Sequence, residues 1–318
     1  DHCQQRQGEA IERQAKNGHT DTSACGTGVG DVSVPFQGQL TSNRQQMSPI
    51  GQQGAAEARL KQLERLPRPV YGQLDAPPNT ALGYRHSHPW IQLSHAVEGV
   101  LEVRTAQGRF IAPPLRAVWV PAGLEHQVFC APNTCIRSLY IDVAAVGPTP
   151  GRCRVLQVSP LLRELIRAFG ELPETYDEAG ADGRLVQVLL DQLGAAPEVP
   201  LVLPLPADAR LRRLCQNLQR HPDSRRGLGD WSARLGLSER TLSRLFVRET
   251  GLTFRAWRQR LRLLGALPAL ERGERVTDVA LAAGYDSLSA FIAAFSEQFG
   301  ATPGEFFRLA RRGEQGRG

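Results

Sequence analysis

The chain has 318 residues, enough for two domains with separate hydrophobic cores. Its hydrophobic residues, 41% of the total, never approach the ~20 in succession that a membrane-spanning helix needs, which excludes a helical membrane protein and leaves a soluble, cytoplasmic one as the expectation. The net charge of +6 is unevenly placed: residues 207–318 hold 20 arginines and no lysine against 12 acidic residues, and the rest holds 18 basic and 20 acidic ones.

A basic final third suits a polyanionic partner, because phosphates neutralised by arginine release their counterions. The plainer reading is an arginine-rich surface set by genome composition, and the presence of only two lysines, Lys16 and Lys61, shows that such a bias exists. Residues 1–46 are polar, rich in Gly and Gln, and precede the only methionine, Met47. They are expected to be a disordered leader outside the folded unit. The six cysteines (Cys3, Cys25, Cys130, Cys135, Cys153, Cys215) are scattered with no CxxC pair, and free thiols in a reducing compartment are expected.

From Pro69 to Val143 the pattern is one of short β-type runs separated by Gly, Pro or Asn: WIQLSHAV, GVLEVRT, GRFIAPP, RAVWVP, HQVFC and CIRSLYIDV. Many short strands at close spacing predict a β-sandwich or barrel. Within this region His86, His88, Gln92 and Gly99 follow the spacing HxH-x(3)-E-x(6)-G, with Gln in place of Glu. Pro121, Gly123 and His126 follow PxG-x(2)-H-x(3)-N, with Cys130 in place of Asn.

These two motifs resemble those of the cupins, which implies a barrel over residues 67–145. The resemblance also implies convergence of His86, His88, Gln92 and His126 inside it. Three imidazoles and one oxygen suit a divalent transition metal. The neutral carboxamide offsets none of the ion's charge, so a metal-free effector pocket and purely structural histidines stay open beside the metal. His95, Trp90, Trp119 and Phe129 are further candidates for the pocket wall, or for core or surface.

Residues 153–206 read as a helical linker. SPLLRELIRAFGEL has a helical apolar stripe behind an N-capping Ser159 and Pro160 at the first helical position. DGRLVQVLLDQLGAA repeats the stripe, and the pair is expected either to pack on the barrel or to form a homodimer interface. APEVPLVLPLPADA, with four prolines, reads as a semi-rigid tether.

Residues 207–310 carry the most specific pattern. LGDWSARLGLSERTLSRLFVRETG predicts helix, turn and helix, with Leu228, Trp231, Leu235, Leu242, Leu245 and Phe246 inward, Gly236 in the turn and Ser238 as N-cap. That leaves Arg240, Ser243, Arg244 and Arg248 outward, where a helix-turn-helix meets the major groove. About 49 residues later VTDVALAAGYDSLSAFIAAFSEQFG repeats the scheme, with Gly284 in the turn and Asp286 as the expected N-cap. Pro268, in the segment joining the two units, is expected to end or kink that helix and to leave the units' spacing open.

Val276, Val279, Ala280, Gly284, Tyr285, Ser289, Phe291, Phe295, Gly300, Thr302, Pro303 and Phe306 match the pattern of the AraC/XylS family of bacterial regulators, which this region resembles. The resemblance implies an α+β chain: a cupin-like N-terminal sensor, a helical linker, and an all-α domain with two helix-turn-helix motifs. It further implies base-reading positions at Arg240, Ser243 and Arg244, with Ser289, Ala290 and Ala293 as their counterparts. Arg248, Arg255 and Arg258 are assigned to phosphate or to ion pairs. The expected partners are double-stranded DNA, a small-molecule effector, a second copy of the chain and, for an activator, RNA polymerase. The competing reading is a metal-dependent cupin enzyme fused to a DNA-binding domain, against which Gln92 stands.

Overall fold

The alternation of Leu101, Val103 and Thr105 with Glu102 and Arg104 makes a strand with one dry face. The computed structural model describes residues 63–72, 83–131 and 134–312, so the expected leader, 1–46, lies outside the described residues. Eight strands come first: β1 (Val70–Tyr71), β2 (Ile91–Glu98), β3 (Leu101–Thr105), β4 (Gly108–Ala112), β5 (Arg116–Val120), β6 (His126–Cys130), β7 (Cys135–Ile141) and β8 (Arg154–Gln157). Two short strands follow later, β9 (Glu198–Val199) and β10 (Val202–Pro204).

They form a six-stranded sheet, in the order β1-β7-β2-β5-β8-β9, and a four-stranded sheet, β10-β4-β3-β6. The two sheets face each other without closing, which corrects the expected barrel to an open cupin-like pair. The chain changes sheet between β2 and β3 at Gly99, whose φ of 80° and a Cβ that would lie 2.4 Å from Thr134 Oγ1 leave room only for glycine.

The inner faces bury Val103, Phe110, Val118, Val120, Val128 and Ile136. The outer face of the larger sheet, with Ile91, Leu93, Ala117, Trp119 and Leu139, is covered by α1 (Pro160–Gly170) and α2 (Ala181–Ala195). Ser159 caps α1 by accepting the Leu162 N–H at 3.1 Å, as its place before Pro160 predicts. Leu162, Ile166, Phe169, Val186, Leu189 and Leu193 point at the sheet, while Leu161 and Val188 stay 53% and 44% exposed.

The proline-rich segment is not a tether. It supplies β9 and β10, and β10 pairs antiparallel with β4, Val202 opposite Phe110 and Pro204 opposite Gly108. Pro204 is tolerated because β10 is an edge strand that ends there.

Seven helices complete the described chain: α3 (Ala209–Arg220), α4 (Leu228–Leu235), α5 (Glu239–Thr250), α6 (Phe254–Glu271), α7 (Val276–Ala282), α8 (Leu288–Phe299) and α9 (Pro303–Arg312). Trp257 of α6 is fully buried and packs edge-on to Phe246, with ring centroids 5.8 Å apart. Its indole N–H donates to the Pro204 carbonyl at 2.7 Å.

Rather than two separate cores, one apolar cluster runs from the inner faces of the sheets through Leu201 and Leu203 into α3–α9. The linker strand brings its own apolar residues to both sides, so no polar layer divides them. Pro268 does not end α6, which continues to Glu271. It sits in the last turn, where the only bond forfeited is the one its missing N–H would have made to Leu264.

Among the described residues Cys130, Cys153 and Cys215 are free thiols.

Candidate functional sites: a histidine cluster and two exposed helices

The histidines meet because the segment before β2 pairs with the start of β6. His86 and His126 exchange backbone hydrogen bonds in both directions, at 3.0 and 2.9 Å. Gly123, at φ 75° in the turn after Pro121, donates to the His88 carbonyl at 2.8 Å. Ring centroids of His86 and His126 are 4.2 Å apart, and those of His88 and His126 are 5.1 Å apart. Gln92, 2% exposed on the inner face of β2, completes the set, so the four residues that the sequence singled out do converge.

Each imidazole has Nδ1 against a backbone carbonyl: His86 on Tyr84 at 3.0 Å, His88 on Trp90 at 2.8 Å and His126 on Leu124 at 2.8 Å. One ligand atom from each of the three lies within 4.8 Å of the others. Gln92 Oε1 lies 2.9 Å from His88 Nε2 and 3.0 Å from His126 Nε2, and Gln92 Nε2 lies 2.9 Å from Ser94 Oγ. Burial pulls His126 down to about 3, helped by a charge on His86 or His88. Burial also lowers His88.

Neutral imidazoles with Nδ1 tied to carbonyls are the form that binds transition metals, so the three nitrogens fit such an ion. The fourth group, a carboxamide, does not match the carboxylate that would balance its charge.

Of the further candidates for the pocket wall, Trp90 stacks on His88 with centroids 5.4 Å apart. His95 and Trp119 belong to strand positions on the opposite, helix-covered face, and His95 Nδ1 meets the Arg116 carbonyl at 3.0 Å. Phe129 lies under the Arg104 guanidinium, 4.0 Å from ring centroid to Cζ. Unanticipated members are Ser94, one pleat along from Gln92, and Tyr140, paired across the strands with Gln92 and edge-on to His88 at 5.7 Å. Period two alone points to Ser94; Tyr140 needed the register.

In the helical half, α5 starts on Ser238, whose Oγ accepts the Thr241 N–H at 3.2 Å, and ends on Gly251 at φ 71°. Leu242 and Phe246 are fully buried, while Arg240, Arg244 and Arg248 are exposed and Ser243 is half-buried. Arg248 pairs with Glu249 at 3.1 Å. The corresponding α8 buries Phe291 and Phe295 and exposes Ser289, Ala290 and Ala293.

The N-cap of α8 is Ser287, its Oγ accepting the Ala290 N–H at 3.2 Å, and not Asp286. Ser287 is the last extended residue before the helix, the position from which a side chain reaches the third helical N–H. Asp286 is solvent-exposed, 3.7 Å from Arg225. Of the arginines assigned to phosphate or ion pairs, Arg255 is exposed. Arg258 instead donates to the carbonyls of Ser224 and Arg226, binding the loop before α4 to α6.

Comparisons with known proteins match both halves. A family model described as a helix-turn-helix domain matches residues 231–309, and one described as an AraC-like ligand binding domain matches residues 69–194. The HTH-type transcriptional regulator NimR of Escherichia coli is 38% identical over 221 residues, covering 70% of this chain and 81% of that protein. The arabinose operon regulatory protein of Escherichia coli is 31% identical over 150 residues, 46% of this chain and 50% of that protein. Among solved structures, the C-terminal domain of AraT, a response regulator from Geobacillus stearothermophilus, aligns with 32% of this chain and 86% of that chain, at 26% identity and a TM-score of 0.31. With an AraC-like ligand-binding domain ahead of a helix-turn-helix DNA-binding domain, the chain belongs to the AraC family of transcriptional regulators.

Proposed function

We propose that this regulator reads its operator chiefly through Arg240, Ser243 and Arg244 of α5, and that a small effector bound at His86, His88, Gln92 and His126 sets its activity. The observation carrying the first part is the exposure of Arg240 and Arg244 with no hydrogen-bond or ion-pair partner among the described residues. A guanidinium free to bond guanine through two donors discriminates bases, whereas Arg248, engaged by Glu249, serves phosphate. The second reading helix offers only Ser289, Ala290 and Ala293, which suit apolar contact with a thymine methyl and close backbone approach.

The protein is a switch rather than an enzyme: Gln92 stands where a metal-dependent cupin would use a carboxylate, and relatives bear the names of transcriptional regulators. Were a divalent transition metal bound, the three histidines and Gln92 would hold it and it would supply an anchor for an oxygen-bearing effector. Leu161 and Val188, apolar and exposed on α1 and α2, favour pairing with a second copy. An activating member would in addition touch RNA polymerase, and the work is done in the cytoplasm, where the chromosome lies.

Selection of binding sites from random duplexes tests the reading. The wild type enriches a defined site, and Arg244→Ala costs about 1–3 kcal/mol of specific binding and relaxes one base position. Unchanged selection by the variant would overturn the assignment of α5.

A further inference from the structure

Gln92 presents its amide to two imidazoles at once, and the hydrogens do not balance with oxygen in that position. His88 Nδ1 and His126 Nδ1 both meet backbone carbonyls at 2.8 Å, and a carbonyl can only accept, so each ring's single hydrogen is on Nδ1. Both Nε2 atoms are then bare lone pairs. An amide oxygen 2.9 and 3.0 Å from them sets acceptor against acceptor twice. Charging both rings would restore donors, but would place two imidazoliums with centroids 5.1 Å apart beside a third histidine, and one of them, His126, is buried.

Turning the amide by half a revolution removes the conflict. The –NH₂ then gives one hydrogen to each Nε2, and Oε1 accepts the hydroxyl hydrogen of Ser94, 2.9 Å away. Amide orientation is assigned from the hydrogen-bond network, and this network admits one assignment.

We propose that Gln92 seals the histidine cluster against divalent metal, its –NH₂ group taking the two nitrogen lone pairs that an ion would need. The inference rests on the effector-site reading above and deepens it. A carboxylate at the same position has no hydrogen to give; it would leave both nitrogens bare and add the charge that draws a cation in. A metal entering the wild-type cluster must break two hydrogen bonds, one of them buried, and receives only a neutral oxygen in return. A small molecule that displaces the amide must bring two hydrogens of its own, as a primary amide, an amine or a diol does.

Two measurements on the full-length protein test this. In the first, ¹⁵N ring spectra of the unliganded wild type report which nitrogen of His88 and His126 is protonated. Nδ1–H on both rings is expected, and an Nε2–H signal from either overturns the proposal. In the second, Co²⁺ is titrated into wild type and Gln92→Glu, followed by its visible d–d absorption and by equilibrium dialysis. The wild type should take up no stoichiometric ion, and the variant should bind one per chain at least a hundredfold more tightly.

Stoichiometric Co²⁺ on the wild type, quenched by His88→Ala, overturns the seal while leaving the cluster as the ligand site. Normal effector response in cells carrying His88→Ala overturns the site itself and leaves the spectra unaffected. Should Gln92→Glu not fold, the wild-type spectra and titration still decide the question.

Discussion

Glu271, in the last turn of α6, accepts the backbone N–H of Gly99 at 3.1 Å, so the helix between the two DNA-reading units is fastened to the β2–β3 turn of the sensor. The same cluster of apolar residues continues from sheet to helix beneath that contact. A hydrogen bond to a charged acceptor contributes about 1.5–3 kcal/mol. Glu271→Ala should lower the urea midpoint accordingly, and the two halves, expected to unfold in one transition in the wild type because they share an apolar cluster, should begin to separate in calorimetry. A single unshifted transition in the variant would show that the contact carries no load.

Arg258 and Arg244 should behave as different kinds of residue. Arg258 is spent on the carbonyls of Ser224 and Arg226, so Arg258→Ala should destabilise the fold by about 1–3 kcal/mol, the worth of the charge-assisted hydrogen bonds that pin the loop before α4 to α6. Its base preferences should be unchanged. Thermal melts alongside site selection separate this from the loss of one base position expected of Arg244→Ala.

His95 gives the fold a built-in acid sensitivity. Full burial holds it at about 4, below its ordinary 6.5, and the charges of Arg137 and Arg163 push in the same direction. The unfolded chain binds this proton first as pH falls. The stability from a neutral His95 is therefore complete above about 6.5 and is lost as pH drops from there toward 4. Over that interval the loss is about 3 kcal/mol. His95→Gln should flatten the urea midpoint between those pH values relative to wild type; parallel curves would refute the assignment.

Two turn glycines should differ in what they tolerate. A Cβ on Gly284, at φ 80°, would lie 2.9 Å from the Asp223 Cα and 2.9 Å from Arg262 Nη2. Gly251, at φ 71°, has nothing within 4 Å. Gly251→Ala should cost about 1 kcal/mol for the left-handed backbone alone, and Gly284→Ala about 2–4 kcal/mol because the loop before α4 must also move. Paired melting curves of the two variants check the order.

Local rules made much of the helical half legible. Ser159 and Ser238 cap where their neighbours require, Gly236 and Gly251 take the left-handed turn, and the repeat at 49 residues places Phe291 and Phe295 where Leu242 and Phe246 stand. The histidine cluster was legible as spacing, because its motifs recur across folds that share it.

What escaped depends on contacts distant in sequence. Tyr140 faces Gln92 only through the β2–β7 register, and His95 and Trp119 fall on the far face because period two, counted from Gln92, puts odd and even neighbours on opposite sides. The strands β9 and β10 exist because β8 and β4 offer them edges, which prolines in a short segment did not suggest. Ser287 and Asp286 are equally good caps by residue type, and only the starting point of α8 decides between them.

The seam between linker and first reader bears on how this protein can be dissected. Glu249, near the end of α5, receives the N–H groups of both Ala207 and Asp208 at 3.1 Å, and Trp257 leans its indole on Pro204. A fragment begun at residue 207 would strip the indole of its acceptor and take away the strand that Trp257 rests on. Begun at residue 199, it keeps the strand that the tryptophan rests on, and the excised reader carries away a piece of the sensor's wall as its own floor.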